Sequence, residues 1–425
     1  MRKMKGRREM KIGRRNFIGL SSAFSLAGCV GLKAKCAEWV KGHYQIHFIY
    51  TGRSECMFHI FPDGTSLLLD CGDSMRFYGT PAAVPVPDLS CRAGEFAARY
   101  VRRVNPKGDC VDIFHLSHYH EDHAGGMRYH GGILPDGRPL SGISDAARFL
   151  KFSRVVDRAW PGFDDPVDVV GPANRDGTPK HMRMLYRHLA ETQGTKIERF
   201  SLGSSSQFKA EGYEDFSVFN LCANGRYVKK DGTVRDLYAS RAADVRAGLR
   251  KSINENALSC GMIVKYGKFS YFSAGDFSDG KRNDLKTRDI ENELAEAVGP
   301  VTVAKMNHHA HHSMPADLVK ALKAKVWTNC TLDQQHCTDD SMMRMASRSL
   351  YEEGRILLPT YMPQNRAATK FGTSYLADVP DCVKRHPCHV VFDVPPGGDE
   401  CRIFCCDAMS PSNSIVQEFC LDVEG

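Results

Sequence analysis

Residues 44–50 read YQIHFIY, with apolar and polar side chains alternating at the period of a β-strand. Thr51-Gly52-Arg53-Ser54 turns this run into a second, residues 56–61. Pro62-Asp63-Gly64-Thr65 then reverses the chain, proline presetting one dihedral and glycine allowing the next. A third run, residues 66–70, leads into Asp70, Cys71 and Gly72. The period then lengthens: residues 93–104 (AGEFAARYVRRV) carry helical spacing, and Val111, Ile113 and Phe114 form a short apolar run of the buried-strand kind. Strands are expected again at 152–158, 195–200, 216–222, 262–266, 269–272, 301–306 and 355–358, and helices at 181–191, 237–249 and 341–353. A last hairpin, residues 388–394 and 401–406 around Pro395-Pro396-Gly397-Gly398, is expected to close the outer edge of a second sheet. Strands mixed with helices predict an α/β (α+β) domain over residues 43–425, with an insertion at about 128–194 that shapes a pocket.

Chemistry concentrates straight after the apolar runs. Residues 113–126 read IFHLSHYHEDHAGG, placing His118, His120, Glu121, Asp122 and His123 on one loop. In extended chain, residues two apart face the same side, so His118 and His120 can converge on one cation while the turn carries Asp122 and His123 toward a second. Imidazoles with a carboxylate suit zinc, iron or manganese, and two ions about 4 Å apart can share a hydroxide. Further on, a strand ends in Ser273-Ala274-Gly275-Asp276, where an aspartate can bridge two cations. Another precedes Asn307-His308-His309-Ala310-His311-His312, a density of imidazole hard to reconcile with simple packing. The plainer alternatives are a solvated histidine run and an ordinary turn aspartate.

H-x-H-x-D-H between an apolar strand and small residues resembles the signature of the metallo-β-lactamase superfamily, which implies a four-layer αββα sandwich and names a fold rather than a substrate. Residues 44–72 are similar to the opening of the hydrolase domain of the DNA-uptake protein ComEC and its extracellular relatives. Gly52-Arg53-Ser54-Glu55 departs from their G-x-G-D-like turn at two positions. The resemblance implies His118, His120, Asp122, His123, Asp276 and His308 as metal ligands, with Asp70 beneath the loop holding it by hydrogen bonds. Residues 307–312 are similar to an H-H-G-[ST] ending with Ala310 in place of glycine; by that match His308 binds the second metal and His309 faces the substrate. Asn256 and Ser259, in an N-x-x-S stretch, and His311 are the implied substrate-binding residues, with strand-end capping as the other reading. A further ligand histidine, usual in the superfamily, has no good counterpart: His130 sits in a glycine-flanked loop, and His181 and His188 on a predicted helix. His336 is expected at the surface, or at most on the rim.

Charge alters this picture little. The chain is formally +7, but residues 1–28 hold eight basic residues against Glu9, and the remaining 49 basic and 49 acidic residues cancel. Nucleic acid binding thus gains no support from net charge. The basic stretch precedes an apolar run from Phe17 to Leu26 and reads as an export signal over residues 1–36. Arg14-Arg15-Asn16-Phe17 resembles a twin-arginine signal, and Leu26-Ala27-Gly28-Cys29 a lipobox that would acylate Cys29, the one expected membrane contact. Sixteen cysteines suit an oxidising compartment. There is no C-x-x-C pair, and Cys56 and Cys71 read as small core hydrophobes.

Together these features predict an exported metallohydrolase, periplasmic or anchored outside the membrane. It would use two divalent ions, zinc or alternatively manganese, with Asp122 orienting the nucleophile and His309 or a neighbour serving the leaving group. The resemblance points to phosphodiesters, in nucleic acid or a phosphorylated polymer. A β-lactam or lactone is the alternative substrate, and a surface binding protein without turnover the alternative class.

Overall fold

The structure is a computed structural model that describes residues 38–74, 86–88, 90–127, 130–171, 177–278, 290–332, 336–362 and 372–423. The export-signal stretch with Cys29 lies outside the described residues. The first half of the chain forms β1 (Tyr44–Phe48), β2 (Cys56–Ile60), β3 (Ser66–Cys71), α1 (Ala93–Val104), β4 (Cys110–His115), α2 (Glu121–Ala124), α3 (Ile143–Ala146), β5 (Lys151–Asp157), α4 (Thr178–Gln193) and β6 (Lys196–Arg199). The second forms β7 (Phe216–Ala223), β8 (Arg226–Val228), β9 (Val234–Asp236), α5 (Ala239–Arg246), β10 (Gly261–Tyr266), β11 (Phe269–Ala274), α6 (Ile290–Leu294), β12 (Val303–Lys305), α7 (Ala316–Leu322), β13 (Val326–Asn329), α8 (Asp339–Ala346) and β14 (Ile356–Pro359). Helix α9 (Asp381–Arg385) and strands β15 (Cys388–Val394), β16 (Glu400–Asp407) and β17 (Ile415–Asp422) follow.

These strands make two sheets, ordered β17-β16-β15-β1-β2-β3-β4-β5-β6 and β14-β13-β12-β11-β10-β7-β8-β9. Each half repeats one plan. Antiparallel β1, β2 and β3 lead into β4, β5 and β6, which run parallel to β3. Antiparallel β7, β10 and β11 likewise lead into parallel β12, β13 and β14. Parallel neighbours need crossovers, and here the crossovers contain helices that cover the sheets.

The alternation in β1 decides its packing. Tyr44, Ile46 and Phe48 face the second sheet, with ring centroids 5.2 Å apart for Tyr44 and Phe216 and 6.4 Å for Phe48 and Tyr271. On the opposite face of the first sheet, Phe58, Ile60, Leu68 and Phe114 pack with Ala97, Tyr100 and Val101 of α1 and with Met182, Leu185 and Leu189 of α4. Leu318, Val319, Met342 and Met345 of α7 and α8 join the core on the second sheet. The fold is thus the expected four-layer αββα sandwich.

One placement differs from expectation. The terminal hairpin does not edge the second sheet: β15 pairs with β1 from Tyr44↔Val394 to Phe48↔Val390, so β15, β16 and β17 extend the first. β15 is buried along all seven residues, which suits an interior position, and it covers an edge of β1 that would otherwise present unpaired amides and carbonyls. Within residues 128–194, β5 and α4 belong to the sheet and its cover rather than to an insertion. The β8–β9 hairpin, α7 and β17 had no sequence expectation.

Phe48 is fully buried between Tyr271 and Phe392. Phe48→Ala should therefore lower unfolding stability by about 3–5 kcal/mol through lost transfer energy and a residual cavity. Denaturant titration should show a lower midpoint at unchanged slope.

Candidate metal centre

The loop after β4 is fastened from both sides. β3 carries a bulge: Cys56 pairs with Cys71 but Met57 with Leu69, leaving Asp70 as the extra residue, in the left-handed region at φ 58°. A bulge re-aims a side chain, and here it turns the Asp70 carboxylate up to the loop. Asp70 accepts from the Ser117 amide and hydroxyl, both at 2.7 Å, and from His123 Nδ1 at 2.7 Å. On the other side Tyr119 is a buried pin. Its amide donates to Glu255 at 3.0 Å, its hydroxyl to Asp157 at 2.6 Å, and Arg158 lies over its ring at 4.5 Å. Pinning Tyr119 sends its neighbours the opposite way, so His118 Nε2 and His120 Nδ1 come within 3.2 Å of each other.

From His120 the chain enters the single turn of α2, which carries Asp122 and His123 inward. That approach needs Gly72, since a Cβ there would sit 1.9 Å from the Asp122 carbonyl. The second half closes on the first in the same close manner. Cys260 donates its amide to Ser117 O at 2.9 Å, Ser259 Oγ accepts the Asp276 amide at 3.0 Å, and Gly275 lies between Ser259 and Ser117 with no room for a side chain.

The result is a buried cluster of Asp122, His123, Asp276 and His309, each offering one ligand atom, all within 4.8 Å of one another. His123 Nε2 lies 3.0 Å and His309 Nε2 3.3 Å from the same Asp276 Oδ2. Neither nitrogen is aligned for a hydrogen bond. They aim at a common point rather than at each other. Their far sides are held alike: His123 Nδ1 by Asp70, and His309 Nδ1 by the Cys330 carbonyl at 3.1 Å with the Glu55 carboxylate 2.9 Å away. Donating from Nδ1 fixes both tautomers and leaves each Nε2 as the ligand atom. The donor set of two imidazoles and two carboxylates fits a divalent cation of the zinc or manganese kind.

Burial opposes charge on both imidazoles, but nearby carboxylates outweigh it. Asp276 and Asp70 carry His123 up to about 10, and Asp276, Asp122 and Glu55 raise His309. The same pairing holds Asp122 and Asp276 well below the usual carboxylate range against the opposing effect of burial. Burial and the neighbouring His123 and His120 lower His118, leaving it neutral and able to coordinate.

The structure brings His118, His120, Asp122, His123 and Asp276 together as expected, with Asp70 beneath them, but several other residues are placed differently. His309, fully buried, joins the cluster, whereas His308 is half-buried with Nε2 3.3 Å from Asn256 Nδ2. This placement of the pair differs from the expected one, and it follows from the backbone: His308, His309 and Ala310 are all left-handed, φ 48°, 50° and 58°. Ser259 is fully buried and its hydroxyl caps the Asp276 amide, the capping alternative for this residue. Asn256 is buried and His311 half-buried, and His336 is not a surface residue: its ring centroid is 5.1 Å from both His309 and His311. None of the three candidates for a further histidine reaches the cluster. His181 faces the Gly125 carbonyl, His188 pairs with Asp136 at 3.2 Å, and His130 caps the Gly132 amide.

Glu55 and Lys305 escaped sequence reading. Lys305 Nζ is fully buried, 3.7 Å from Glu55 and 3.9 Å from Asp276. Glu55 had a signal, a carboxylate closing the Gly52 turn; Lys305 had only its place two residues before Asn307.

No family model matches the chain, and no curated protein matches it in sequence. Among solved structures it is similar to unliganded yeast PDE1, at 12% identity over 76% of this chain and 90% of that one, with a TM-score of 0.31. It is also similar to CmlA, a diiron beta-hydroxylase from Streptomyces venezuelae, at 11% identity over 75% of this chain and 53% of that one, with a TM-score of 0.35. Neither overlap is close enough to carry chemistry from those proteins to this one.

Zinc must displace protons from His123 and His309, so its affinity should rise with pH across the neutral range, and calorimetry in buffers of different ionisation enthalpy should show proton release. Glu55→Gln should weaken zinc binding about 10–100-fold with little change in thermal unfolding of the zinc-free protein, because the carboxylate orients His309 without binding the ion.

Proposed function

We propose that the chain is a metal-dependent hydrolase of the ComEC-like kind, acting on phosphodiester-type substrates. The observation that carries this reading is the convergence of His123 and His309, one from each half, on a single oxygen of Asp276. Charge supports a centre of two divalent cations. The buried Glu55, Asp70, Asp122 and Asp276 are accompanied by one buried ammonium, Lys305, beside Glu55 and Asp276, a formal excess of three negative charges that two divalent ions and one hydroxide would neutralise. His118 and His120 would hold one ion, Asp122, His123 and His309 the other, with Asp276 between them. Cations there would supply Lewis acidity that lowers the pKa of water and stabilises developing negative charge.

The chain's own residues set the direction of attack. Asp122 is anchored through its carbonyl by the Glu55 amide at 2.8 Å and can orient the nucleophile from the floor of the site. His309 is too deep for the expected leaving-group role. That role passes to the half-buried imidazoles of His308 and His311, whose ring centroids are 5.3 Å apart. Asn256 holds His308 in place and can donate to a substrate oxygen. Export, and lipid attachment at Cys29, remain proposals from residues 1–36.

The zinc- and manganese-loaded protein should cleave bis-(p-nitrophenyl) phosphate, and Asp122→Asn with Asp276→Asn should reduce turnover at least about 100-fold. Cleavage of nitrocefin alone would establish the lactam reading instead. No hydrolysis of either, with at most one tightly held ion, would identify a binding protein that keeps the fold.

A further inference from the structure

Two cysteines flank the metal centre in a way that ordinary core packing does not require. Cys56 directly follows Glu55, the carboxylate beside His309, and Cys71 directly follows Asp70, the carboxylate on His123. The two are opposite each other across β2 and β3, where the bulge at Asp70 brings Cys71 into register with Cys56. The Gly72 amide bonds to the Glu55 carbonyl at 3.3 Å, one residue outside the pair on each strand, so Cys56 and Cys71 occupy a non-hydrogen-bonded position. At such a position opposite Cα atoms lie about 4.5 Å apart and side chains are at their closest. A disulfide requires roughly 4.4–6.8 Å.

Both side chains point to the same outer face, into the core that includes Ala97 and Phe114. They are thiols in the structure, and contact with the Cys71 thiol, followed by burial, pushes the Cys56 thiol up. Cys330 is also near Cys56, but it belongs to the inner core and its thiol is directed at the Cys56 and Ile49 carbonyls, at 3.4 and 3.7 Å. It is poorly placed to compete.

We infer that Cys56 and Cys71 form a disulfide that staples the strand ends carrying Glu55 and Asp70, and so couples the geometry of the metal centre to thiol oxidation. The bond forms by exchange with a small disulfide such as oxidised glutathione while the strands are still accessible. One cysteine thiolate attacks the reagent and expels a thiolate, and the second attacks the mixed disulfide and expels the other. One Sγ–Sγ bond is made, two electrons pass to the reagent, and the two cysteine protons leave on the released thiols. Once folded, the bond is sealed from solvent, since both residues are fully buried.

Peptide mapping of the full chain refolded in a glutathione redox buffer tests this directly. The expected product is a peptide pair linking Cys56 to Cys71, lighter than the two thiol peptides by two hydrogens, retained in Cys330→Ser and lost in Cys71→Ser. Against protein reduced with a phosphine, the oxidised form should melt about 3–6 °C higher and bind zinc about tenfold more tightly. A refolded protein that unfolds cooperatively but carries free thiols at both positions, or that links Cys56 to Cys330, overturns the assignment. A bond that forms without changing zinc affinity overturns the coupling. Mapping reads the bond whether or not the centre hydrolyses anything, so failure here is distinct from failure of the hydrolase reading.

Discussion

One carboxylate oxygen of Asp276 is the point on which both halves of the chain close. His123 comes to it from the loop after β4 and His309 from the turn after β12, and each imidazole is braced from behind, by Asp70 or by Glu55 and Cys330. Four carboxylates are gathered in a region where unpaired charge is strongly unfavourable. Lys305 and protonated imidazoles offset part of that charge, and the rest is what a bound cation would balance.

The repeated strand plan explains why the groups meet. In each half the third antiparallel strand ends near an aspartate, Asp70 next to the last residue of β3 and Asp276 just beyond β11, and the next parallel strand leads into a histidine loop. The change from antiparallel to parallel pairing places the two carboxylate-bearing ends beside the two imidazole-bearing ends, as crevices at strand carboxyl ends do in open α/β sheets. Close backbone approach finishes the assembly: Gly72 against Asp122, and Gly275 between Ser117 and Ser259.

Most of the strands and the loop of residues 118–123 were legible because both rest on local pattern, period-two alternation and tight histidine spacing. The αββα layering followed from the resemblance and from strands alternating with helices. What was not legible depends on geometry that spacing does not encode. The partner of β15 is set by which edge is open, not by its own residues. Glu55 looked like a departure from a turn pattern because nothing local shows that His309, 254 residues later, would lie 2.9 Å away. The bulge at Asp70 is likewise invisible without the register of β2.

The placement of His308 and His309 has a more particular cause. Adjacent residues in the usual right-handed or extended backbone have familiar relative directions, and the sequence expectation took them for granted. Here three successive non-glycine residues are left-handed, at a cost of about 1–2 kcal/mol each. The turn is held by the Cys337 and Thr338 amides, which donate to the His309 and Ala310 carbonyls at 2.8 Å. Reversing the sense of the turn swings His309 down to Glu55 and Asp276 and leaves His308 beside Asn256. Two adjacent imidazoles are thereby divided, one fully buried against Asp276 and the other half-buried beside Asn256, a division that a relaxed right-handed turn of the same residues would not produce.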